Sequence, residues 1–134
     1  HWGVRVIPNL YKAVQIELDD TSRMDGMFES RPGVGAHEII IDTPCHDCRF
    51  SNLEVVQIAD WLSAISKRIS DLRKDKRLIY ASVFKNHGEY AGATQSHPHT
   101  QIIALPIMPH DALRLLDKGL QYYRRHGRGK VEDL

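Results

Sequence analysis

The residues whose types and spacing could do chemistry lie between Phe84 and Gln101, above all in the run His97-Pro98-His99-Thr100-Gln101. If that run is extended, successive side chains alternate between faces, so His97, His99 and Gln101 share one face and Pro98 and Thr100 the other. Two imidazoles and a carboxamide then project together at the mouth of the glycine-containing loop Asn86–Ser96. Pro98 has no N–H to give to a ladder, which suits a strand entry where backbone can meet a ligand. A neutral imidazole is available near physiological pH and can be nucleophilic without a separate base. Attack on a nucleotide α-phosphorus would give a phosphoramidate and divide one displacement into two. Gln101 can donate to a phosphoryl oxygen where charge gathers, and Gly92-Ala93-Thr94-Gln95-Ser96 offers N–H groups and hydroxyls to the other oxygens. Catalysis of this kind rests almost wholly on positioning and electrostatics. An isolated His-x-His is more often a surface pair on an edge strand; the company of Gln101, an apolar strand and Asn86 favours a site.

The elements that must carry these groups can be read from periodicity. Val4–Ile7 and Ala13–Leu18 read as short strands separated by the turn signal Pro8-Asn9. Residues 19–36 are polar and glycine-rich and read as a loop. His37–Asp42, with three consecutive isoleucines, reads as a buried strand. A helix follows, with Ser51 as its cap and Glu54 three residues on as a capping box. Ile58, Leu62, Ile65, Ile69 and Leu72 form one apolar stripe, and Lys67, Arg68, Arg73, Lys74 and Lys76 read as a solvated face suited to the helix C-terminus. Leu78–Phe84 and His99–Leu105 are the next strands. Leu113, Leu116, Leu120 and Tyr123 mark a final helix ended by Gly127. The expected fold class is α+β, an antiparallel β-sheet with one long and one shorter helix.

Bulk composition narrows the partners. The 134 residues, 42% hydrophobic and 26% charged, suit a single globular domain over 1–134. Eighteen basic against seventeen acidic residues leave a net charge of +1, which argues against a nucleic-acid-binding surface and requires local donors for any anion. No apolar stretch is long enough to span a membrane and no signal peptide is evident, so a soluble cytoplasmic domain is expected. The chain opens directly in a strand and stops in a polar run, from which we expect a fragment of a longer protein. Cys45 and Cys48 are too few for a secreted disulfide scaffold. His37, beside Glu38 at a strand start, reads as a satisfied polar residue without a catalytic role. His87, His110 and Arg31 read as solvent-facing. Trp2 and Trp61 would pack at a homodimer seam or cover the core edge.

The segment from Asn86 to Gln101 resembles the active-site motif of galactose-1-phosphate uridylyltransferases, within the histidine-triad superfamily. Asn86, a glycine, Ser96, His97-Pro98-His99 and Gln101 stand at matching places. Arg5-Val6-Ile7-Pro8-Asn9 resembles that family's uridine-contacting strand and turn. Gly35–Ile41 and Thr43-Pro44-Cys45-His46-Asp47 resemble its middle strand and the loop after it. The similarity extends over about residues 2 to 110, in the same order. It implies a histidine-triad-like half-domain in which His99 is the nucleophile and Gln101 orients the phosphoryl group. Asn86, Gly92, Ala93 and Thr94, with Ser96, would line the phosphate site, and Asn9 with Leu10 the nucleoside pocket. Glutamine at position 101, where hydrolases of the superfamily have a third histidine, favours transfer over hydrolysis because it cannot donate a catalytic proton.

The resemblance also implies a structural zinc, with two histidines mapping to His46 and His97; the two cysteines expected upstream have no counterpart here. Two histidines do not close a tetrahedral site, and a single Cys45-x-x-Cys48 specifies little, so we expect ordinary loop cysteines and an incomplete metal pair. No organic cofactor is implied. The first functional expectation is a hexose-1-phosphate uridylyltransferase working by ping-pong: UDP-glucose charges His99 with UMP, and a sugar 1-phosphate accepts it. The second keeps His99 and exchanges the substrates, as in an adenylyl-transferring phosphorylase of ADP-sugars or dinucleoside polyphosphates. The third is a nucleotide-binding module without turnover.

Overall fold

A computed structural model describes residues 2–93 and 95–133. Four strands form one antiparallel sheet in the order β1–β4–β6–β5: β1 is Arg5–Pro8, β4 Ala36–Ile41, β5 Tyr80–Phe84 and β6 His99–Leu105. With α1 (Val55–Leu72) and α2 (His110–His126), this is the expected α+β class, although the second helix is only one residue shorter, 17 against 18.

Central β6 pairs Gln101 with Ile39 and with Phe84, and His99 with Ile41. Its alternation sorts the two faces of the sheet. Thr100, Ile102 and Ala104 are essentially buried beneath α1, together with Ile40 and Asp42 from β4 and its exit. His99, Gln101 and Ile103 point to the opposite face, with His37, Ile39 and Ile41. At the far end, Gly35 brings β4 against β6: a Cβ there would lie 2.4 Å from the carbonyl oxygen of Ala104, and its φ is +152°. Only glycine fits both conditions.

Four expectations change. Ala13–Leu18 is not a strand; only an isolated parallel bridge, Gln15 to Val34, survives, and bends and turns take up the rest of the segment. The expected loop 19–36 contains a small hairpin, β2 (Arg23–Asp25) and β3 (Phe28–Ser30), turning at Gly26-Met27 with Gly26 at φ 60°. Its strands are exposed on both faces, so no alternation betrayed them. The helix cap is Glu54, whose carboxylate accepts a backbone N–H while the Gln57 side chain accepts Glu54 N–H; Ser51 belongs to the short turn Phe50–Asn52 before it. The strand expected from Leu78 begins at Tyr80.

Four residues of the expected stripe, Ile58, Ile65, Ile69 and Leu72, lie on the less exposed side of α1, and the fifth does not. Leu62 is 55% exposed, whereas Trp61 reaches the sheet and donates from Nε1 to Thr100 Oγ1 at 3.1 Å. Arg68, expected on the solvated face, grips Glu38 of β4 with both ends of its guanidinium at 2.7 and 2.8 Å. That bidentate contact, followed by those with Asp71, raises the arginine pKa, against the opposing effect of partial burial. α2 ends at Gly127 (φ 71°) as expected, and its apolar residues Leu113, Leu116, Leu120 and Tyr123 remain 46–60% exposed. Among the described residues, no helix is long and apolar enough to cross a membrane.

Candidate functional site

The site forms where β4 and β5 leave the sheet and β6 enters it. Asp42 N–H donates to Pro98 O at 3.1 Å, tying the exit of β4 to the entry of β6. From there His99 points to the face away from α1 and is 7% exposed. Its Nδ1 lies 2.8 Å from the carbonyl oxygen of His97. A carbonyl only accepts, so the proton sits on Nδ1 and Nε2 keeps its lone pair. The ring is therefore held in the tautomer a nucleophile needs.

Beneath His99 lies a buried polar group that the sequence did not announce. Asp42 is 0% exposed, and its two oxygens are shared between Lys85 Nζ (2.5 Å) and Thr100 Oγ1 (2.8 Å). Lys85 also donates to the carbonyl oxygen of His99 at 2.9 Å, and Trp61 donates to Thr100. A buried carboxylate is tolerable when paired and hydrogen-bonded in this way. The arrangement fixes the backbone on which His99 sits. The available signals were a charge closing the triple-isoleucine strand and a lysine directly after Phe84.

His97 lies just outside β6. Its Nε2 is 2.8 Å from Thr43 O, its Nδ1 faces His46 Nδ1 at 3.0 Å, and His46 Nε2 meets the Ser96 hydroxyl at 3.3 Å. With both rings neutral, only one proton placement satisfies all three contacts. His97 donates from Nε2, His46 donates from Nδ1, and Ser96 donates its hydroxyl proton. A metal bound by both Nδ1 atoms would replace the shared proton, yet a tetrahedral site needs two more donors. Cys45 and Cys48 do not supply them, since their sulfurs are bonded to each other, with Cα atoms 5.5 Å apart. The cysteines expected to be ordinary loop residues rather than zinc ligands are joined as a disulfide: a spacing of three brings the pair within reach. Among the described residues, no group of three or more His, Cys, Asp or Glu side chains is placed to hold an ion. The residues present do not fit a zinc centre.

An open depression of about 820 Å³ gathers many of the expected residues: His46, Asn86, Gly92, Ala93, Ser96, His97 and His99, with Lys85 on its wall. Gly92, at φ 79°, closes the short turn Glu89–Ala91 and lets the loop bend back towards His97. Thr94 lies outside the described residues. Asn9, Leu10 and Gln101 are not part of that lining. Leu10 is 84% exposed, so nothing in the chain encloses it. Asn9 and Gln101 instead meet around His37, on the same face of the sheet as His99. His37 Nε2 lies 2.8 Å from Gln101 Oε1 and 3.0 Å from Asn9 Nδ2, and its Nδ1 accepts Ala13 N–H at 3.1 Å. His37 was expected to be a satisfied polar residue, which it is; it is also buried, at 8% exposure. Its attachment to Gln101 was not expected.

These features define a chain built around one histidine-bearing central strand whose imidazole is tautomerically fixed beside an open, ligand-sized depression. Residues 3–109 match the family described as galactose-1-phosphate uridyl transferase, N-terminal domain, and the chain belongs to that family. It is 36% identical over 130 residues to ADP-glucose phosphorylase from Arabidopsis thaliana, covering 96% of this chain and 37% of that protein. It is 30% identical over 84 residues to galactose-1-phosphate uridylyltransferase from Thermotoga maritima, covering 63% of this chain and 26% of that protein. The crystal structure of an Arabidopsis thaliana ADP-glucose phosphorylase with bound ADP-glucose superposes with a TM-score of 0.83 at 33% identity, over 95% of this chain and 39% of that one. The chain thus spans less than half the length of these relatives.

Proposed function

We propose that this chain carries the nucleotide-charging site of a nucleotidyltransferase acting on a nucleotide sugar, with His99 Nε2 as nucleophile. The observation that carries the reading is the 2.8 Å contact from His99 Nδ1 to His97 O, which leaves Nε2 bare. In the first step Nε2 attacks the α-phosphorus. A P–N bond forms as the bond to the bridging oxygen breaks, and the sugar 1-phosphate leaves with that electron pair. In the second step an oxygen of the acceptor phosphate attacks, the P–N bond breaks, and the imidazole recovers its lone pair. Gln101 donates to a non-bridging oxygen, and the loop around Gly92, Ala93 and Ser96, with Asn86, meets the remaining oxygens.

The donor we assign is an ADP-sugar with inorganic phosphate as acceptor, giving ADP. What favours it is the match to ADP-glucose phosphorylase, at 36% identity against 30% for the uridylyltransferase. The second reading is a UDP-glucose donor with a hexose 1-phosphate acceptor, favoured by the family match over residues 3–109. Incubation of the chain with ADP-glucose or with UDP-glucose, followed by intact mass, tests both. An adenylyl increment abolished by His99→Ala is the expected result. A uridylyl increment alone selects the second reading, and binding without any adduct rejects covalent transfer.

A further inference from the structure

Gln101 can assist phosphoryl transfer only if its amide presents NH2, rather than oxygen, to the phosphate. A free glutamine amide has no intrinsic reason to choose, since the two ends are similar in size and each can find partners. Here the choice is made by His37. Ala13 contributes a backbone N–H, which can only donate, and it lies 3.1 Å from His37 Nδ1. Nδ1 must therefore accept, and the single proton of the neutral ring is on Nε2. Nε2 lies 2.8 Å from Gln101 Oε1 and donates to it. Once the oxygen is committed, the NH2 is the end left to face a ligand.

The rest of the cluster holds the ring in this state. Asn9 Oδ1 accepts Tyr11 N–H at 2.9 Å, so its Nδ2 is the end turned to His37, at 3.0 Å from Nε2 and 3.4 Å from Nδ1. An amide nitrogen close to both ring nitrogens lies against the ring rather than in line with one lone pair, and it does not compete for the Nε2 proton. Asn9 N–H in turn donates to His37 O at 2.9 Å. The imidazole thus spans three segments: the turn after β1, β4 and β6.

We infer that His37 is a positioning residue that fixes the amide orientation of Gln101, so that the donor, not the acceptor, faces the α-phosphate. The inference rests on the covalent-transfer reading above. It assigns no contact between His37 and substrate; His37 acts through Gln101.

The test is a double-mutant cycle read by single-turnover adduct formation. His37→Leu should slow charging of His99 by about tenfold, a fraction of what losing such a donor outright costs, with nucleotide affinity nearly unchanged. His37→Gln, which places an N–H where Nε2 stood, should recover most of the rate. In a Gln101→Ala background, His37→Leu should have no further effect. An equal slowing in both backgrounds, or no recovery with glutamine, overturns the proposal in favour of a merely structural histidine. A second measurement does not depend on activity: ring nitrogen NMR of the unmodified chain, above the imidazole titration range, should show the proton on His37 Nε2. A proton on Nδ1 overturns the inference even if charging is observed. Failure of the unmodified chain to charge with either nucleotide sugar rejects the transfer reading instead, and the tautomer still decides the orientation.

Discussion

At the scale of single residues, the nucleophile is defined less by its own side chain than by what holds its backbone. Lys85 neutralises a fully buried carboxylate and also takes the carbonyl of His99. Lys85→Met keeps the aliphatic stem and leaves Asp42 buried without its counter-charge. We expect a loss of about 3 kcal/mol in unfolding free energy by chemical denaturation, since removing one partner of a buried pair costs more than the pair is worth. The double variant Lys85→Met with Asp42→Asn should regain part of that loss. The chemistry-bearing side chains were legible because phosphoryl transfer needs recognisable groups at fixed spacing. Asp42 and Lys85 were not, being 43 positions apart in sequence. Two pairings on β6 bring them together, Ile41 with His99 and Phe84 with Gln101. His37 was legible as a satisfied polar residue but not as the partner of Gln101, for the same reason: the contact joins two strands far apart in sequence.

At the scale of elements, strands with a buried face announced themselves and strands without one did not. β4 and β6 were placed almost to the residue because their alternation is enforced by α1 on one side and the His37–Gln101 cluster on the other. The hairpin β2–β3 has no buried face, so hydrophobic pattern was silent and only Asp25-Gly26 hinted at a turn. α1 was placed as a helix, and of its apolar stripe only Leu62 turned outward, while Trp61 and Arg68 joined the inward side. Tryptophan and arginine, both long, reach the sheet from flanks that a purely apolar count assigns to solvent. The tightest joint in the sheet is at Gly35. Gly35→Ala must push the backbone of Ala104 away and hold alanine at φ +152°. A loss of about 2–4 kcal/mol is expected, seen as a lower thermal midpoint, whereas Gly119→Ala, in the open on α2, should raise helix stability slightly.

At the scale of the whole molecule, order is concentrated in the sheet and α1, and thins towards both the hairpin and α2. The apolar residues of α2 are half exposed, and its main contacts are with the short turn Lys130–Asp133 that follows it. Amide hydrogen exchange should therefore be slowest in β4 and β6 and markedly faster through α2, despite its regular hydrogen bonding. Protection of α2 equal to that of β6 would show that helix to be anchored more firmly than its exposure implies.

The hairpin of residues 23–30 pairs chiefly with itself, turns on a glycine with nothing within 4 Å of where a Cβ would stand, and leaves every strand residue in water. It is a handle whose strands bury nothing among the described residues. Foreign sequence spliced in after Gly26, whether an epitope, a fluorophore-bearing cysteine or a protease recognition stretch, would lengthen a loop at small entropic cost and displace no core side chain.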